Sequence, residues 1–203
     1  MWASGYEIYD RISPPYQKFL ETLTCTFAQP NFIRAAERGN FKIYDKPRGS
    51  PENIGADLTA VHPVVRTNPV TGWKSIFPVG AHISHINGLT EPESKRLLKW
   101  FNKRKSQTLR CKSLVLSLSP DTSLVCVDNH DLQVRFKWHS VNDIAIWDNR
   151  SVFHNATYDF EGLGDRAGNR AVGVGEKPYF DPQSKSRREA LEGEEIGSPF
   201  MMR

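Results

Sequence analysis

Paired cysteines and long apolar runs are both missing from this chain of 203 residues. Its three cysteines, Cys25, Cys111 and Cys126, are widely spaced and include no CxxC pair. That argues against a disulfide scaffold and a thiolate zinc site, and it fits a reducing compartment. No apolar run approaches the length of a membrane span, and the first ten residues lack the basic start and apolar core of a signal peptide. These absences predict a cytoplasmic protein with no membrane partner.

A strong charge of one sign is also missing. The formal net charge is +4, which suits an anionic small-molecule substrate but does not by itself indicate nucleic acid. The basic run 103–105 is too short for a nucleic-acid signal and is more typical of a solvated helix end. Bulky residues are plentiful, with 11 Phe, 6 Tyr and 5 Trp. They are sufficient for the β-rich core of a single domain of this length.

Helix signals occur near the start and in the middle of the chain. Ser4 precedes a helical pattern over 5–12, and Ser13 with Pro14 is a favourable start for a helix over 14–23. The clearest helix covers 90–103, where Thr90 and Glu93 form a capping box ahead of a buried stripe of Leu97, Leu98 and Phe101. Residues 28–57 are rich in Pro, Gly, Asn and charge, and we expect them to be mostly irregular.

Strand patterns occupy most of the remaining chain. The apolar, β-branched segments are 58–67, 73–80, 131–138, 143–149 and 169–180, separated by turns and by a polar loop over 150–168. The elements do not repeat as βαβ units. The pattern therefore favours a mainly β fold with peripheral helices, a jelly roll or double-stranded β-helix, over a parallel α/β sheet. The tail 181–203 is predicted either to be helical over 186–193 or to be disordered.

Three polar residues after the strand 143–149 are candidates for chemistry. His154 alone is weak support for a metal site, because a histidine at a strand end is more often a satisfied polar residue than a ligand. Arg166 and Arg170 are four residues apart, so on a strand they point to the same face and two guanidinium groups meet in one place. Either an anion binds between them, or they pair with Asp159, Glu161 or Asp165. The residues alone leave both alternatives open.

Four stretches of the sequence resemble the taurine dioxygenase family: "HPVVRTNPVTGWKSIF", "INGLTEPESKRLLKWF", "DLQVRFKWHSVNDIAIWDNRSVFH" and "NRAVGVGEKPYF". Members of that family are iron(II)- and 2-oxoglutarate-dependent oxygenases with a jelly-roll core. The resemblance covers most of 1–102 and 130–180, and its most specific part is "WDNR" followed by His154 and the spaced arginines.

The resemblance implies a role for each candidate. His154 matches the distal histidine of the family's facial triad of two histidines and a carboxylate, which holds Fe(II). Arg166 matches the arginine that grips the far carboxylate of the cosubstrate 2-oxoglutarate, and Arg170 matches a position that helps to hold the anionic substrate. The implied reaction uses O₂ to hydroxylate a C–H bond of a sulfonate such as taurine, or of a related organic anion. Assembly into a homo-oligomer is left open.

The chain also departs from the family at two places. None of its six histidines is followed two residues later by Asp or Glu, so the His-x-Asp pair that completes the triad is missing. We therefore expect an N-terminally truncated member, in which residues 1–180 form a partial domain carrying one ligand of three. The second departure is an insertion at about 103–128. It reads either as a hairpin or as translated intron without selected structure, and we favour the second.

Two other functions remain as alternatives. A non-catalytic jelly-roll module would keep the fold and the anion-binding arginine pair but no metal. A zinc site on His82 and His85 is remote, since their spacing lacks a third ligand.

Overall fold

The computed structural model describes residues 2–47, 49, 54–55, 58–80, 82–109, 133–134, 136, 138–140, 142–154, 162, 164 and 167–194. Its helices are α1 (Gly5–Asp10), α2 (Pro14–Glu21), α3 (Pro30–Gly39), α4 (Glu91–Leu109) and α5 (Arg187–Glu194). Its strands are β1 (Trp2–Ser4), β2 (Thr24–Ala28), β3 (Thr59–Pro63), β4 (Val65–Thr67), β5 (Lys74–Ile76), β6 (Ile83–Ile86), β7 (Gln133–Val134) and β8 (Val152–His154). The fold is therefore a mixture of helices and short strands.

The strands form three small antiparallel sheets with the orders β7-β1-β8, β3-β2-β6 and β4-β5. The pairing of β2 with β6 shifts register between Thr26 and Phe27, which is typical of a β-bulge. Within the described residues the sheets do not close into a barrel. The prediction of a mainly β fold is therefore only partly confirmed, since the described residues form a mixture of helices and open sheets.

The core lies where the helices α1, α2 and α4 meet β2, the β4–β5 hairpin and β6. Leu20, Cys25 and Phe101 are fully buried there, and Phe153 of β8 packs against the same cluster from its margin. Burial of each large apolar side chain contributes about 1.5–3 kcal/mol. Cys25 is a structural member of this core, and its burial raises the pKa of its thiol to about 12.

The predicted helix starts are confirmed, and their local causes are visible. The Ser4 hydroxyl accepts a hydrogen bond from the Glu7 amide, so it caps α1 as expected. Glu93 accepts one from the Thr90 amide at 2.9 Å, which is one half of the predicted capping box of α4. Helix α4 runs to Leu109, so its last turns enter the predicted insertion at 103–128. Residues 110–128 lie outside the described part of the chain.

The interpretation of 28–57 as mostly irregular was wrong for residues 30–39, which form α3. Pro30 occupies the first turn, and Asn40 ends the helix in the left-handed conformation with φ 48°. None of its residues is fully buried. The sequence did not reveal this helix because Pro30, Gly39 and Asn40, which lie at its two ends, are also typical of loops.

Two predicted strands are irregular in the structure. Residues 143–149 and 169–180 have the expected alternation of apolar side chains, but they pair with no strand in the described part of the chain. Consequently Ile144, Ile146, Val172 and Val174 expose 83%, 93%, 55% and 52% of their surface. A period-2 pattern forms a strand only where another strand supplies its backbone hydrogen bonds. Both segments have the alternation, but the described residues provide no partner strand.

Of the two alternatives for the tail, the helical one is observed over Arg187–Glu194. The amide of Glu189 donates to the Ser186 hydroxyl at 3.1 Å, and the amide of Ser186 donates to the Glu189 carboxylate at 2.8 Å. This reciprocal capping box starts α5. The amide of Arg188 then donates to Asp10 at the end of α1, which ties α5 to the first helix. The domain boundary proposed at residue 180 stays a prediction.

Candidate functional site

His154 is the last residue of β8, and β1 fixes its position. In the antiparallel pairing Trp2 lies opposite His154, and Ala3 lies opposite Phe153. Residues directly opposite each other project to the same face of a sheet, so the Trp2 and His154 side chains share one face. Phe153 and Ala3 point to the other face, where Ala3 is buried and Phe153 packs on the core. The core thus anchors β8 and leaves His154 on the opposite face.

Aromatic rings surround His154 on that face. The Trp147 ring centroid lies 4.9 Å from the imidazole and 5.4 Å from the Trp2 indole, and Phe136 lies 5.0 Å from Trp2 on the far side. The Trp147 indole nitrogen donates to Asn149 at 2.8 Å, which sets the orientation of the ring. The imidazole is half-buried within this aromatic cluster of Trp2, Phe136, Trp147 and His154.

The turn before β8 is built on Asp148. Its carboxylate accepts hydrogen bonds from the amide and from Nε of Arg150, at 2.8 and 2.9 Å, and its carbonyl accepts one from the Val152 amide at 3.2 Å. The hydrogen bonds from Arg150 hold the pKa of the Asp148 carboxyl below its ordinary value, so the carboxylate is charged at neutral pH. The "WDNR" stretch is therefore a capped turn that delivers His154 to the strand end.

A buried arginine on β4 connects this turn to the segment that carries Arg170. Arg66 is only 4% exposed, and its Nη2 donates to Glu176 Oε1 at 2.8 Å. The other oxygen of Glu176 accepts from Arg150 Nη1 at 3.4 Å, and the Arg66 guanidinium lies 4.9 Å from the Phe77 ring centroid. Desolvation lowers the pKa of Arg66, and the charge of Glu176 opposes that effect.

Only some of the site residues predicted from the sequence lie in the described part of the chain. Arg170 is exposed on the irregular segment 167–180, whereas Arg166 and its alternative partners Asp159, Glu161 and Asp165 lie outside the described residues. His82 and His85 are both exposed, and His85 Nδ1 is 3.1 Å from the Ser84 hydroxyl. These two histidines gain no third donor in the described part of the chain, so nothing favours the zinc alternative.

The donors in the described residues do not fit a complete iron site. Nowhere in the described ranges do three His, Cys, Asp or Glu side chains come together closely enough to hold a metal ion. His154 is the one family-matched ligand among them, and its ring lies 4.9 Å from that of Trp147. One imidazole does not provide the facial geometry of a three-ligand site.

Sequence reasoning missed Arg66 and Glu176, although a signal was present. "HPVVRTNP" places a charged residue directly after three apolar positions of a strand, and a buried arginine requires a carboxylate partner. The identity of that partner, 110 residues away, could not be read from the sequence.

A cavity of the described residues lies elsewhere. It has a volume of about 780 Å³ and lies between the turn after α1, helix α2 and the first half of α4. Tyr16, Phe19 and Trp100 line it together with Arg11 and Arg96. None of its lining residues belongs to β8 or to 167–180, so it is separate from the His154 site.

Comparison with known proteins agrees with these motifs. The sequence model described as "Taurine catabolism dioxygenase TauD, TfdA family" matches residues 1–110, which is more than half of the chain. The chain belongs to the TauD, TfdA family. The suspected family resemblance is therefore confirmed, and the TauD, TfdA match includes β1, the helix pair, the β4–β5 hairpin and α4.

Several fungal dioxygenases are similar to this chain. An alpha-ketoglutarate-dependent dioxygenase (btcD) of Neocamarosporium betae is 54% identical over 190 residues, covering 94% of this chain and 49% of that protein. Another (esdpJ), from Penicillium shearii, is 49% identical and covers 94% of the chain and 45% of its own length. An alpha-ketoglutarate-dependent sulfonate dioxygenase of Saccharomyces cerevisiae is 31% identical over 89% of the chain and 36% of that protein. The chain spans about half the length of the curated relatives it matches.

Among solved structures, a taurine dioxygenase from Burkholderia xenovorans covers 74% of this chain and 38% of its own, with 21% identity and a TM-score of 0.44. Of the described helices, none combines the length and the hydrophobicity needed to cross a membrane.

Proposed function

We propose that this chain supplies the distal metal ligand and the anion-binding arginines of a 2-oxoglutarate-dependent dioxygenase. His154 is the Fe(II) ligand, Arg166 binds the far carboxylate of 2-oxoglutarate, and Arg170 binds the anionic substrate. The observation that carries this proposal is the placement of His154. A capped turn and a core-anchored strand hold it on a sheet face among aromatic rings, directly after the "WDNR" motif.

The substrate class we propose is an organic sulfonate such as taurine, or a related anion. The named activity of the Saccharomyces cerevisiae relative supports a sulfonate, although the more similar fungal relatives are named only as dioxygenases. The exposed guanidinium of Arg170 and the positive net charge suit an anion of either kind.

We also propose that the complete site requires the jelly roll of the full-length family fold. The chain has about half the length of its relatives, and its strand-patterned segments 143–149 and 169–180 have no sheet partner among the described residues. Strands of the other half would pair with them and would bring the remaining two metal ligands.

A chimaera tests the proposed roles. This chain is substituted for the matching half of the Neocamarosporium betae relative, and succinate formation from 2-oxoglutarate is measured with and without Fe(II). Taurine and other sulfonates are the first substrates. We expect iron-dependent succinate formation in the chimaera and none with this chain alone, because a single imidazole does not hold the metal in a facial geometry.

Variants of the chimaera separate the three roles. His154→Ala should abolish turnover, since it removes a metal ligand. Arg166→Ala should chiefly weaken 2-oxoglutarate, by about 2–5 kcal/mol for a buried carboxylate that loses a two-pronged partner. Arg170→Ala should chiefly raise the KM of the substrate. Full activity of His154→Ala would exclude this residue as a ligand.

The second candidate, a non-catalytic anion-binding module, is favoured by one observation, namely the missing three-donor cluster in the described ranges. The two functions differ in iron binding. If the chimaera binds 2-oxoglutarate but gains no affinity for Fe(II), the module is the better description.

A further inference from the structure

An ion-pair chain links the two segments that carry the candidate site residues. It runs from Arg66 on β4 to Glu176, from Glu176 to Arg150, and from Arg150 to Asp148, with donor–acceptor distances of 2.8, 3.4 and 2.9 Å. Asp148 lies in the turn that starts the His154 strand, and Glu176 lies six residues after Arg170. The ion pairs therefore connect the turn before His154 to the segment that carries Arg170.

The burial of Arg66 gives the ion-pair chain a fixed end. Its side chain is 5% exposed, whereas those of Glu176 and Arg150 are 34% and 31% exposed. A buried guanidinium without a carboxylate is strongly disfavoured, so Arg66 holds Glu176 at one position on β4. Glu176 uses its second oxygen for Arg150, which makes it the residue that the two segments share.

Regular pairing fixes little of either segment. Within the described ranges, 167–180 forms no strand, although the Thr67 amide donates to the Tyr179 carbonyl at 2.8 Å near its end, and β8 has three residues paired only with β1. No strand pairing among the described residues joins the two segments to each other, so the ion pairs are their direct link.

We propose that Arg66 and Glu176 are positioning residues, which fix the arginine-bearing segment 167–180 relative to the His154 strand. This inference rests on the proposed function in one respect, because it takes the positioned site to be a 2-oxoglutarate site. The coupling between the two segments does not depend on that function. Neither residue touches the substrate or the metal. Their effect on binding is exerted through Arg170 and His154.

Hydrogen exchange on the full chain tests the geometric part. Glu176→Gln keeps the size of the side chain but removes the charge that both arginines share. We expect exchange of the amides in 148–154 and in 173–180 to rise together, by about tenfold. Arg66→Met should act on the same two regions. Because Glu176 is partly exposed, its variant remains informative if Arg66→Met does not fold.

Glu7→Gln is the matched control. Glu7 is also a partly exposed carboxylate that two arginines share, because its Oε1 lies 3.0 Å from Arg11 Nε and its Oε2 lies 3.7 Å from Arg187 Nη1, with 26% of the side chain exposed. Loss of its charge should raise exchange in α1 and α5 and leave 148–154 and 173–180 as in the wild type. The inference is overturned if Glu176→Gln changes only one of the two regions, or if Glu7→Gln changes both equally.

Calorimetric titration of the chimaera with 2-oxoglutarate tests whether the positioned site is a 2-oxoglutarate site. We expect Glu176→Gln to weaken binding about tenfold and Glu7→Gln to leave it unchanged. Unchanged binding in Glu176→Gln would contradict a positioning role for that site. If the unsubstituted chimaera does not bind 2-oxoglutarate, the proposed arginine roles fail, and the exchange experiment still decides whether the two segments are coupled.

Discussion

Lys74 of β5 and Glu21 of α2 form a buried ion pair that also involves a tyrosine. Lys74 Nζ lies 2.7 Å from Glu21 Oε1, and the Tyr9 hydroxyl donates to the same oxygen at 2.6 Å. The Lys74 and Glu21 side chains are only 5% and 10% exposed. Desolvation, followed by the hydrogen bond to Glu21, raises the pKa of Tyr9 well above its ordinary value, so Tyr9 remains a donor. This network joins α1, α2 and β5.

Removal of one partner from this network should destabilise the protein severely. We expect Lys74→Met to lower the free energy of unfolding by about 3–5 kcal/mol, because it removes the buried cation from Glu21 and leaves only Lys18, whose side chain is 76% exposed, at the other carboxylate oxygen. The double variant Lys74→Met with Glu21→Leu should recover most of that loss. Urea denaturation measures both. A single variant as stable as the wild type would show that the carboxylate finds other compensation.

The same carboxylate should make stability depend on pH. Burial opposes ionisation of Glu21, but the hydrogen bonds from Lys74 and Tyr9 outweigh it and hold its pKa below the ordinary 4.5. The unfolded state therefore binds more protons in that range, and stability rises with pH there. We expect the stabilisation from Glu21 to be present above pH 4.5 and to be lost as pH falls through the lowered folded-state pKa. Melting temperatures of wild type and Glu21→Gln measured across that range should converge toward the acid end.

Helix α4 is the element in which the family pattern and the insertion meet. Its buried stripe ends with Leu97 and Phe101, and the insertion begins two residues later. Deletion of 110–128 leaves the described helix intact. We expect it to change the free energy of unfolding by no more than about 0.5 kcal/mol, because the family that the chain resembles passes almost directly from this helix to the next strand.

Phe101→Ala is the reference variant with which the stability of the deletion is compared. This side chain is fully buried, and its truncation should cost about 3–5 kcal/mol. If deletion of 110–128 costs as much as Phe101→Ala, the segment packs as genuine structure, and its interpretation as translated intron is wrong.

Elements whose formation is decided locally were predictable from the sequence. Ser4, Thr90 and the Leu97–Phe101 stripe act within one or two turns of a helix, so their patterns led to α1 and α4. Strand prediction was less successful because a strand depends on its partner. The alternation over 143–149 is real, but Ile144 and Ile146 remain exposed, and no strand of the described residues lies beside them.

The candidate site shows the same contrast. His154 could be selected from its motif, and its position at a strand end is observed. The Arg66–Glu176 pair could not be found in this way, since it depends on which segments the fold brings together. The roles of Arg166 and Arg170 stay predictions.

Across the whole molecule, the three sheets differ in the number of residues that separate their paired strands. The hairpin β4–β5 joins residues 65–67 to 74–76, whereas β1 pairs with residues near 133 and 153. The core sheets and helices α1, α2 and α4 are complete within the first 110 residues, which is also the range of the family match. All the buried residues of the core cluster lie in this half of the molecule, and Phe153 and Phe180 of the second half pack against its margin.

The pairing of Trp2 with His154 has a consequence for the order of folding. Closure of so long a loop costs more entropy than formation of the neighbouring hairpins, so the sheet that holds His154 should assemble last. During synthesis β1 emerges long before residue 154, so Trp2 lacks its β8 partner throughout that interval. Chaperones that recognise apolar segments have a long opportunity to bind there.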